Sequence, residues 1–475
     1  MTKLMSFRWS AKATINSLIL CAIFSVSLDA FAQTYAPEDA WKDAQIESRD
    51  QKSATARKRL EWFRDARFGM FIHWNQSSVA VSEISWSKQF YDDNGENMLD
   101  NPRPSDGANG SREHRNWISW FKPPVPREVY DNLYKSFYPG MFNADSIAAQ
   151  AKRAGMHYIV MVTKHHDGFC MFDSKYTDYD MMSTPFKRDL VKEMANATHK
   201  AGLKFGIYYS QRDWHHPAYS STPMDEYNAY MRNQMRELLT NYGEISLVFF
   251  DAGAWKNYRT WEGDKLFKMI YELQPNILIN NRCGVPGDYN TPEQKIGIFN
   301  NLRDWESCMT FTGFWSWHGF QTPVKPYEEC LKYLISCAGG DGNLLMNIGP
   351  MPTGQIDPRE SDRMKRIGQW LNKNGEAIFG TRGGPYKPGK WGACTSKENY
   401  IYIQVTDWNL FPSVLPPLPV KIKKAQILNG PAIEFSQEKS GIRLNVDVAL
   451  RAGDATVLKL TMDGKAGEIE PLSVE

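Results

Sequence analysis

The chain has little of what marks zinc-binding, nucleic-acid-binding or membrane-spanning proteins. Its seven cysteines are scattered over 475 residues, and no pair has the spacing of a zinc finger or of a small disulfide framework. Lysine plus arginine number 56 and aspartate plus glutamate 54, and this near balance of charge argues against a polyanion such as nucleic acid as a partner. The apolar stretch from Ile15 to Val26 is too short to cross a membrane. Sequence repeats and low-complexity tracts are also absent, which leaves an ordinary globular composition.

The amino terminus has the pattern of an export signal. Three basic residues precede the apolar stretch, and Ala30 and Ala32 supply the small side chains expected before a cleavage site. We therefore predict that residues 1–32 are a signal peptide and that the mature protein is periplasmic or secreted. An exported protein can form disulfides, but the six cysteines that remain after Cys21 is removed indicate no particular pairing.

Ionisable side chains are concentrated in Lys164-His165-His166-Asp167-Gly168-Phe169, directly after the apolar run from Tyr158 to Val162. Polar residues at the end of a buried strand are typical of the active site of a barrel enzyme. Adjacent histidines on a strand point to opposite faces, so one of the two could be a structural residue. Three further strand-like runs end in polar residues in the same way: Phe205–Ser210, Ile245–Asp251 and Ile277–Arg282. Four strands that end alike favour a functional site over core packing.

Helix-like and strand-like segments alternate through most of the chain. Phe68–Trp74 has the pattern of a first buried strand and contains His73. Repeated βα units predict a parallel sheet, and active-site residues on several strand ends favour a barrel over an open sheet. Beyond Gly383-Gly384-Pro385, short alternating runs separated by turn residues predict a small all-β sandwich. The predicted fold is therefore α/β, with a (β/α)8-like TIM barrel catalytic domain over residues 33–385 and a C-terminal β-sandwich over residues 386–475.

Asp251 is the strongest candidate for chemistry. It follows a largely apolar run, so its carboxylate is expected to lie partly desolvated at a strand end, where it can act as a nucleophile or base. A helix-capping aspartate after a strand is the structural alternative. Glu293 and Glu306 lie farther along the chain. Glycoside hydrolysis requires two carboxyl groups that face one substrate, and either glutamate could be the second of them.

Further motifs accompany these strand ends. They are Tyr208-Tyr209-Ser210, Phe250-Asp251, Asn281-Arg282, Gly342–Pro350 and Gly375–Thr381. Together with the histidine-containing segments, and in this order, they resemble glycoside hydrolase family 29, the retaining α-L-fucosidases. The similarity runs from about Trp62 to Arg382 and continues weakly into the predicted sandwich.

The resemblance implies roles for individual residues. Asp251 falls at the nucleophile of the family, and Glu293 falls at the acid/base of several members, with Glu306 as the reserve candidate. The implied substrate-binding residues are His73, His165, His166, Tyr208, Arg282, Trp117, Phe249, Trp315 and Trp317. L-fucose combines an apolar methyl group with a ring of hydroxyls, so Trp315 and Trp317 would meet the methyl group opposite the polar residues.

Three positions depart from the family pattern. Asn75 stands where glycine usually follows His-Trp, and Phe249 stands where a tryptophan is common two residues before the nucleophile. Some members carry a Glu-Trp pair after the first strand that has been considered for the acid/base role. The best match to that pair here is Asn116-Trp117, so this glutamate is absent. Its absence favours Glu293 as the acid/base.

The resulting prediction is an exported, retaining α-L-fucosidase that acts on fucosylated oligosaccharides or glycoconjugates and needs neither cofactor nor metal. Two alternatives remain open. A fucose-binding or glycan-binding protein without turnover could use the same fold. A metal-dependent hydrolase could use His73, His165 and His166, although no further ligands with recognisable spacing accompany them. The sequence indicates neither the fucose linkage nor the oligomeric state.

Overall fold

The computed structural model describes residues 54–88, 125–251, 260–284 and 287–474. The predicted signal peptide, residues 1–32, and the predicted substrate-binding residue Trp117 lie outside these ranges. Within them, no helix has both the length and the apolar character that a membrane crossing requires.

A seven-stranded parallel sheet lies at the centre of the larger, amino-terminal part of the described chain. Its strands are β1 (Phe68–Ile72), β2 (Tyr158–Lys164), β3 (Lys204–Ser210), β4 (Leu247–Asp251), β5 (Leu278–Ile279), β6 (Glu306–Thr310) and β7 (Asn343–Ile348). They lie in the order β5-β4-β3-β2-β1-β7-β6, and every neighbouring pair is parallel. Because every neighbouring pair is parallel, all the strands have their carboxyl ends at the same side of the sheet. Long crossover connections join such strands.

An irregular segment bridges the edge strands β5 and β6. Isolated parallel bridges join Asn280 to Tyr289, Asn290 to Trp305, and Glu293 to Cys308. Asn280 directly follows β5 and Cys308 lies in β6, so the chain around residues 289–293 occupies the position of an eighth strand. The predicted (β/α)8-like barrel is confirmed in this form, with seven regular strands and one irregular segment.

Helices cover the outside of the curled sheet. They are α1 (Ala54–Ala66), α2 (Arg127–Tyr130), α3 (Ala144–Arg153), α4 (Leu190–Lys200), α5 (Asp225–Asn241), α6 (Gly263–Leu273), α7 (Tyr327–Gly339) and α8 (Pro358–Asn374). Side-chain caps fix where several of them begin. Asn143 accepts from the Ser146 backbone N–H before α3, and Asp189 accepts from the Lys192 backbone N–H before α4.

Side chains alternate between the barrel interior and the layer beneath the helices. In β4, Leu247 and Phe249 belong to the interior apolar cluster. Val248 and Phe250 pack in the larger cluster under the helices. Since successive side chains of a strand point to opposite faces, the same alternation turns Asp251 towards the inside at the carboxyl end of β4.

The C-terminal region is antiparallel. Its main sheet has the order β11-β14-β10-β9-β8, with strands β8 (Arg382–Gly383), β9 (Gly392–Lys397), β10 (Tyr400–Val405), β11 (Ile422–Ile427) and β14 (Thr456–Met462). A hairpin of β12 (Glu434–Glu438) and β13 (Gly441–Asn445) accompanies it, and Ile442 shares an apolar cluster with Ile401 and Leu458 of the main sheet. These antiparallel sheets confirm the second part of the predicted fold class.

Candidate active site

Asp251 lies at the centre of the predicted polar residues, at the carboxyl end of the sheet. It is the last residue of β4, and its side chain is 22% exposed. Tyr208 in β3 donates its phenol hydrogen to Asp251 Oδ2 over 2.8 Å. Arg282, which follows β5, places Nη1 3.3 Å from Oδ1. Each carboxylate oxygen is therefore held by a donor, which fixes the orientation of the carboxylate.

Arg282 joins two carboxylates. The Nη1 atom that faces Asp251 also lies 2.6 Å from Glu293 Oε2. The carboxylate oxygens on either side of Nη1 are consequently at most about 6 Å apart. Thr291 fixes the guanidinium by accepting from Nε at 2.9 Å and from Nη2 at 3.0 Å. Burial lowers the pKa of Arg282, but the charges of Glu293 and Asp251 outweigh burial and raise this pKa well above its usual value.

Three histidines, His73, His165 and His166, line the same site. Each is held through its Nδ1 atom at 2.6 Å, by the side-chain oxygens of Asn347, Ser85 and Ser210 respectively. The Nε2 atom of His166 is 3.8 Å from Asp251 Oδ2. The structure therefore places the three predicted histidines next to one another.

Burial keeps the three imidazoles uncharged. It lowers the pKa of His73 to about 3 and the pKa values of His165 and His166 well below the ordinary value. At His166, the positive charges of Arg212 and Lys164 lower the pKa further. A neutral imidazole donates through one nitrogen and accepts through the other, which suits recognition of sugar hydroxyls.

Apolar rings pack against these polar groups. Phe249 is buried, and the guanidinium carbon of Arg282 lies 5.2 Å from the centroid of its ring. Trp315 packs on His73 with 4.6 Å between ring centroids. Both predicted aromatic residues therefore belong to the cluster around the carboxylates.

Trp317, two residues after Trp315, has a different environment. Its indole nitrogen donates to Asp357 Oδ2 over 3.1 Å, and its ring packs against Phe320 with 5.3 Å between centroids. Asp357 caps the amino end of α8. These contacts tie Trp317 to the start of a helix, whereas Trp315 contacts a site histidine.

Glu306, the reserve acid/base candidate, lies at the amino end of its strand. It is the first residue of β6, is fully buried, and accepts a hydrogen bond from Tyr158, the first residue of β2. Burial raises the pKa of Glu306 to about 8. Asp251 ends its own strand, so the parallel sheet separates the two carboxyl groups along the strand direction.

Two residues that sequence reasoning missed contact the site histidines. The Ser85 hydroxyl is the partner of His165, and the ring of Trp86 packs on His166 with 5.3 Å between centroids. Trp86 could have been identified from the sequence as a tryptophan shortly after the first strand, whereas Ser85 has no such signal. Asn116-Trp117, which the sequence analysis matched to the Glu-Trp pair of the family, lies outside the described residues.

A buried carboxylate holds the loop that carries Trp315. Glu83 accepts from the backbone N–H groups of Trp315 at 3.2 Å and Ser316 at 3.1 Å, and it pairs with His318 Nε2 at 3.0 Å. Because Glu83 is fully buried, these contacts replace the water that the carboxylate loses on folding. No motif in the sequence marks this residue.

His165, His166 and Asp251 also form a group that could hold a metal ion, since one ligand atom of each lies within 4.8 Å of the others. Two imidazoles and a carboxylate suit Zn²⁺ and related transition metals. Arg282 and Arg212 bring positive charge to the same group, as their effect on the pKa of His166 shows. Like charges repel, so the arrangement fits a neutral substrate with several hydroxyls better than a resident cation.

The Alpha-L-fucosidase family model matches residues 31–376 of the chain. The chain is 29% identical to the plasma alpha-L-fucosidase of Homo sapiens over 399 residues, which cover 75% of this chain and 78% of that protein. It is 30% identical to the plasma alpha-L-fucosidase of Pongo abelii over 404 residues, which cover 75% and 78% of the two chains.

Solved structures agree with this match. Alpha-L-fucosidase isoenzyme 1 from Paenibacillus thiaminolyticus is similar with a TM-score of 0.73 and 32% identity, covering 86% of this chain and 100% of that one. A GH29 alpha-L-fucosidase from Bacteroides thetaiotaomicron, trapped as a covalent intermediate in complex with 2-fluoro-fucosyl fluoride, is similar with a TM-score of 0.70 and 25% identity, covering 86% and 96%. The chain therefore belongs to the alpha-L-fucosidase family, glycoside hydrolase family 29, and its reaction is the hydrolysis of alpha-L-fucosides.

Proposed function

We propose that this alpha-L-fucosidase releases terminal alpha-L-fucose from fucosylated oligosaccharides or glycoconjugates, with Asp251 as the nucleophile and Glu293 as the acid/base. The observation that carries the assignment is the contact of one Arg282 nitrogen with both carboxylates, which keeps their oxygens within about 6 Å. Retaining glycosidases place the two carboxyl groups roughly 5–5.5 Å apart, whereas inverting enzymes leave roughly 6.5–9.5 Å for a water molecule. The trapped covalent intermediate of the Bacteroides thetaiotaomicron relative supports the same mechanism.

The reaction takes two displacements. In the first, an oxygen of Asp251 attacks the anomeric carbon, the bond from that carbon to the leaving oxygen breaks, and Glu293 gives its proton to this oxygen. In the second, Glu293 removes a proton from water while the water oxygen attacks the anomeric carbon and Asp251 departs. Each displacement inverts the carbon, so the fucose is released with its original configuration.

Tyr208 and Arg282 prepare Asp251 for both displacements. Tyr208 donates to Oδ2 and Arg282 faces Oδ1, so the carboxylate is already oriented before substrate binds. The same donors stabilise the negative charge that returns to Asp251 when water releases the sugar.

Exposure favours Glu293 over Glu306 as the acid/base. The Glu293 side chain is 35% exposed and contacts the same arginine as Asp251. Glu306 is fully buried at the amino end of β6, where neither a leaving group nor water from solvent arrives. A group that protonates a departing oxygen and then activates water has to reach both.

The remaining site residues match the two sides of the sugar. The neutral histidines His73, His165 and His166 offer donors and acceptors to hydroxyls, and Trp315 offers an apolar ring to the methyl group. We propose that these four residues, with Tyr208, form the fucose-binding site. Phe249 supports it from below as the packing partner of Arg282.

We also propose that the protein is exported and cleaved after Ala32, on the strength of the amino-terminal sequence pattern. The test is amino-terminal sequencing of the protein recovered from the periplasmic fraction and from the medium. A first residue of Gln33 in either fraction supports export, and a full-length protein confined to the cytoplasm contradicts it.

Hydrolysis of para-nitrophenyl alpha-L-fucoside by the mature protein and three variants tests the residue roles. Asp251→Ala and Glu293→Ala should lose most turnover, whereas Glu306→Gln should keep it because this residue lies at the other end of its strand. Loss of turnover in the Glu306 variant, with Glu293→Ala close to wild type, would transfer the acid/base role to Glu306.

Azide rescue identifies the two roles by stereochemistry. In Asp251→Ala, azide replaces the nucleophile and attacks the substrate once, so it should give the inverted beta-fucosyl azide. In Glu293→Ala, azide replaces water in the second displacement, so it should give the retained alpha-fucosyl azide. Proton NMR of the product distinguishes the two anomers, and the opposite assignment of products would exchange the roles.

A further inference from the structure

The hydrogen bonds behind two site histidines determine where their protons lie. His73 and His166 are each held through Nδ1 at 2.6 Å, by Asn347 Oδ1 and Ser210 Oγ. In a neutral imidazole only one nitrogen carries hydrogen, and the partner of that nitrogen sets what the other presents to a ligand. The other hydrogen bonds made by Asn347 and Ser210 show which imidazole nitrogen carries the hydrogen.

Asn347 can only accept from His73. Its Nδ2 atom donates to the backbone oxygen of Trp315 over 2.7 Å, and a carbonyl oxygen has no hydrogen to give. This contact fixes the orientation of the amide and directs Oδ1 to His73. Since an amide oxygen only accepts, the hydrogen of His73 is on Nδ1.

Ser210 also accepts from its histidine. Its hydroxyl donates to the backbone oxygen of Arg212 over 2.8 Å and accepts from the backbone N–H of Arg212 at 3.0 Å. The single hydroxyl hydrogen is used by the carbonyl, which cannot donate in return. The 2.6 Å contact with His166 therefore needs a hydrogen on Nδ1 of that histidine.

The opposite nitrogens are left without hydrogen. Both rings are buried, and burial lowers their pKa values, so neither carries a second proton at neutral pH. The Nε2 atom of His166 stands 3.8 Å from Asp251 Oδ2, which is longer than a hydrogen bond and agrees with an Nε2 atom that has nothing to donate.

We infer that Asn347 and Ser210 are positioning residues that fix His73 and His166 as hydrogen-bond acceptors, so that the site selects sugar hydroxyls that donate. The inference rests on the proposed fucose-binding role of the two histidines. It deepens that role by assigning a direction to each hydrogen bond. A hydroxyl that meets one of these Nε2 atoms has to give its hydrogen, and fluorine at that position, which has none, fails to replace it.

The protonation is measured in the free protein. In long-range ¹H–¹⁵N correlation spectra of the ¹⁵N-histidine-labelled mature protein, His73 and His166 should show hydrogen on Nδ1 at neutral pH. Their signals are identified by their loss in His73→Gln and His166→Gln. Hydrogen on Nε2, or a doubly protonated ring, overturns the inference. Because this spectrum is recorded without turnover, a failure of the inference can be distinguished from a failure of the proposed function.

Ser210 variants test whether the contact sets the protonation. Ser210→Ala removes the acceptor, so the His166 Nδ1–H signal should weaken or move, and KM should rise about three- to tenfold with a smaller change in kcat. Ser210→Thr keeps the hydroxyl and should restore both. An unchanged His166 spectrum in Ser210→Ala contradicts the inference, and if that variant fails to fold, the wild-type spectrum and Ser210→Thr still decide.

Substrate analogues test the direction of the hydrogen bonds. Methyl alpha-L-fucosides in which one hydroxyl at a time is replaced by hydrogen or by fluorine serve as competitive inhibitors of the wild-type enzyme. At the positions that meet His73 and His166, fluorine should bind as weakly as hydrogen. If fluorine restores the affinity of the parent sugar at every position, the acceptor assignment is wrong.

Discussion

The Nη1 atom of Arg282 lies 2.6 Å from Oε2 of Glu293. A guanidinium donates hydrogen bonds and cannot accept one, so this contact occupies Oε2 as an acceptor. Oε1 is then the atom from which Glu293 can deliver a proton to the leaving oxygen. The same arginine faces Asp251, so a single side chain sets the spacing of both proposed catalytic groups.

Glu293→Gln should therefore separate the two displacements. The amide keeps the size of the side chain but has no acid proton, so hydrolysis of substrates with poor leaving groups should fall by roughly 10²–10⁴-fold. An activated fluoride or dinitrophenyl fucoside needs less protonation and should lose much less in the first displacement. Stopped-flow kinetics with both substrate types provides the measurement, and equal losses for both types would contradict an acid role.

Tyr208→Phe should lower kcat without weakening the fold. The change removes one oxygen, which donates to Asp251 over 2.8 Å, and leaves the ring that stacks on His165. A hydrogen bond to a charged group contributes about 1.5–3 kcal/mol, which corresponds to roughly 10- to 150-fold in rate. Steady-state kinetics beside thermal unfolding would check this, and a large fall in the unfolding temperature would indicate a structural role instead.

Asp251 was predictable from sequence for a physical reason. An apolar run with strand periodicity places its last residue at the carboxyl end of a parallel strand, and the side of the sheet follows from alternation. Glu293 has no such pattern around it, because residues 289–293 form an irregular segment joined by isolated bridges. Its proximity to Asp251 depends on the contact with Arg282, which spacing along the chain does not reveal.

The contacts of loop residues were harder to predict from the sequence. Trp315 and Trp317 lie in a segment without helix or strand periodicity, so nothing in the sequence indicates that only the first contacts a site histidine. Ser85 has a positive φ of 61° and meets a histidine 80 positions later in the chain. Such a contact is a product of the tertiary fold, and a serine carries no pattern that predicts it.

Glu306→Gln should change how stability depends on pH. Burial raises the pKa of Glu306 to about 8 from 4.5, so the folded protein holds this proton between these pH values while the unfolded chain releases it. The contribution of this proton to stability is present below pH 4.5 and is lost as the pH rises through about 8. Over this pH range the free energy of unfolding of the wild type should fall by about a few kcal/mol relative to that of the variant, since one pKa unit corresponds to about 1.4 kcal/mol.

Chemical unfolding of both proteins at pH 5 and pH 8 measures this difference. The free energy of unfolding of Glu306→Gln, taken relative to the wild type, should be higher at pH 8 than at pH 5. A difference between the two proteins that does not change with pH would show that Glu306 titrates alike in the folded and unfolded states.

A chelator should leave turnover unchanged, and zinc should inhibit competitively only in excess, because Arg282 and Arg212 weaken cation binding at this group. His165, His166 and Asp251 place ligand atoms within 4.8 Å of one another, and the two imidazoles are neutral, so Zn²⁺ in excess can occupy the proposed substrate position. Ca²⁺ prefers oxygen ligands and is the matched control that should not inhibit. Loss of activity after chelation, restored by zinc, would show instead that the reaction depends on the metal.

The two tryptophans of the loop should respond differently to substitution. Trp315 packs on His73, so Trp315→Ala removes an apolar ring beside a proposed substrate-binding residue and should lower kcat/KM by roughly 5- to 50-fold, mainly through KM. Trp317→Phe keeps a ring but loses the 3.1 Å hydrogen bond to Asp357 at the start of α8, so it should lower the unfolding temperature by a few degrees and leave KM near wild type. Kinetics and thermal unfolding of both variants make the comparison. The reverse result, with KM raised only in the Trp317 variant, would place that residue against the sugar, because a helix anchor has no means of changing substrate affinity while leaving the fold intact.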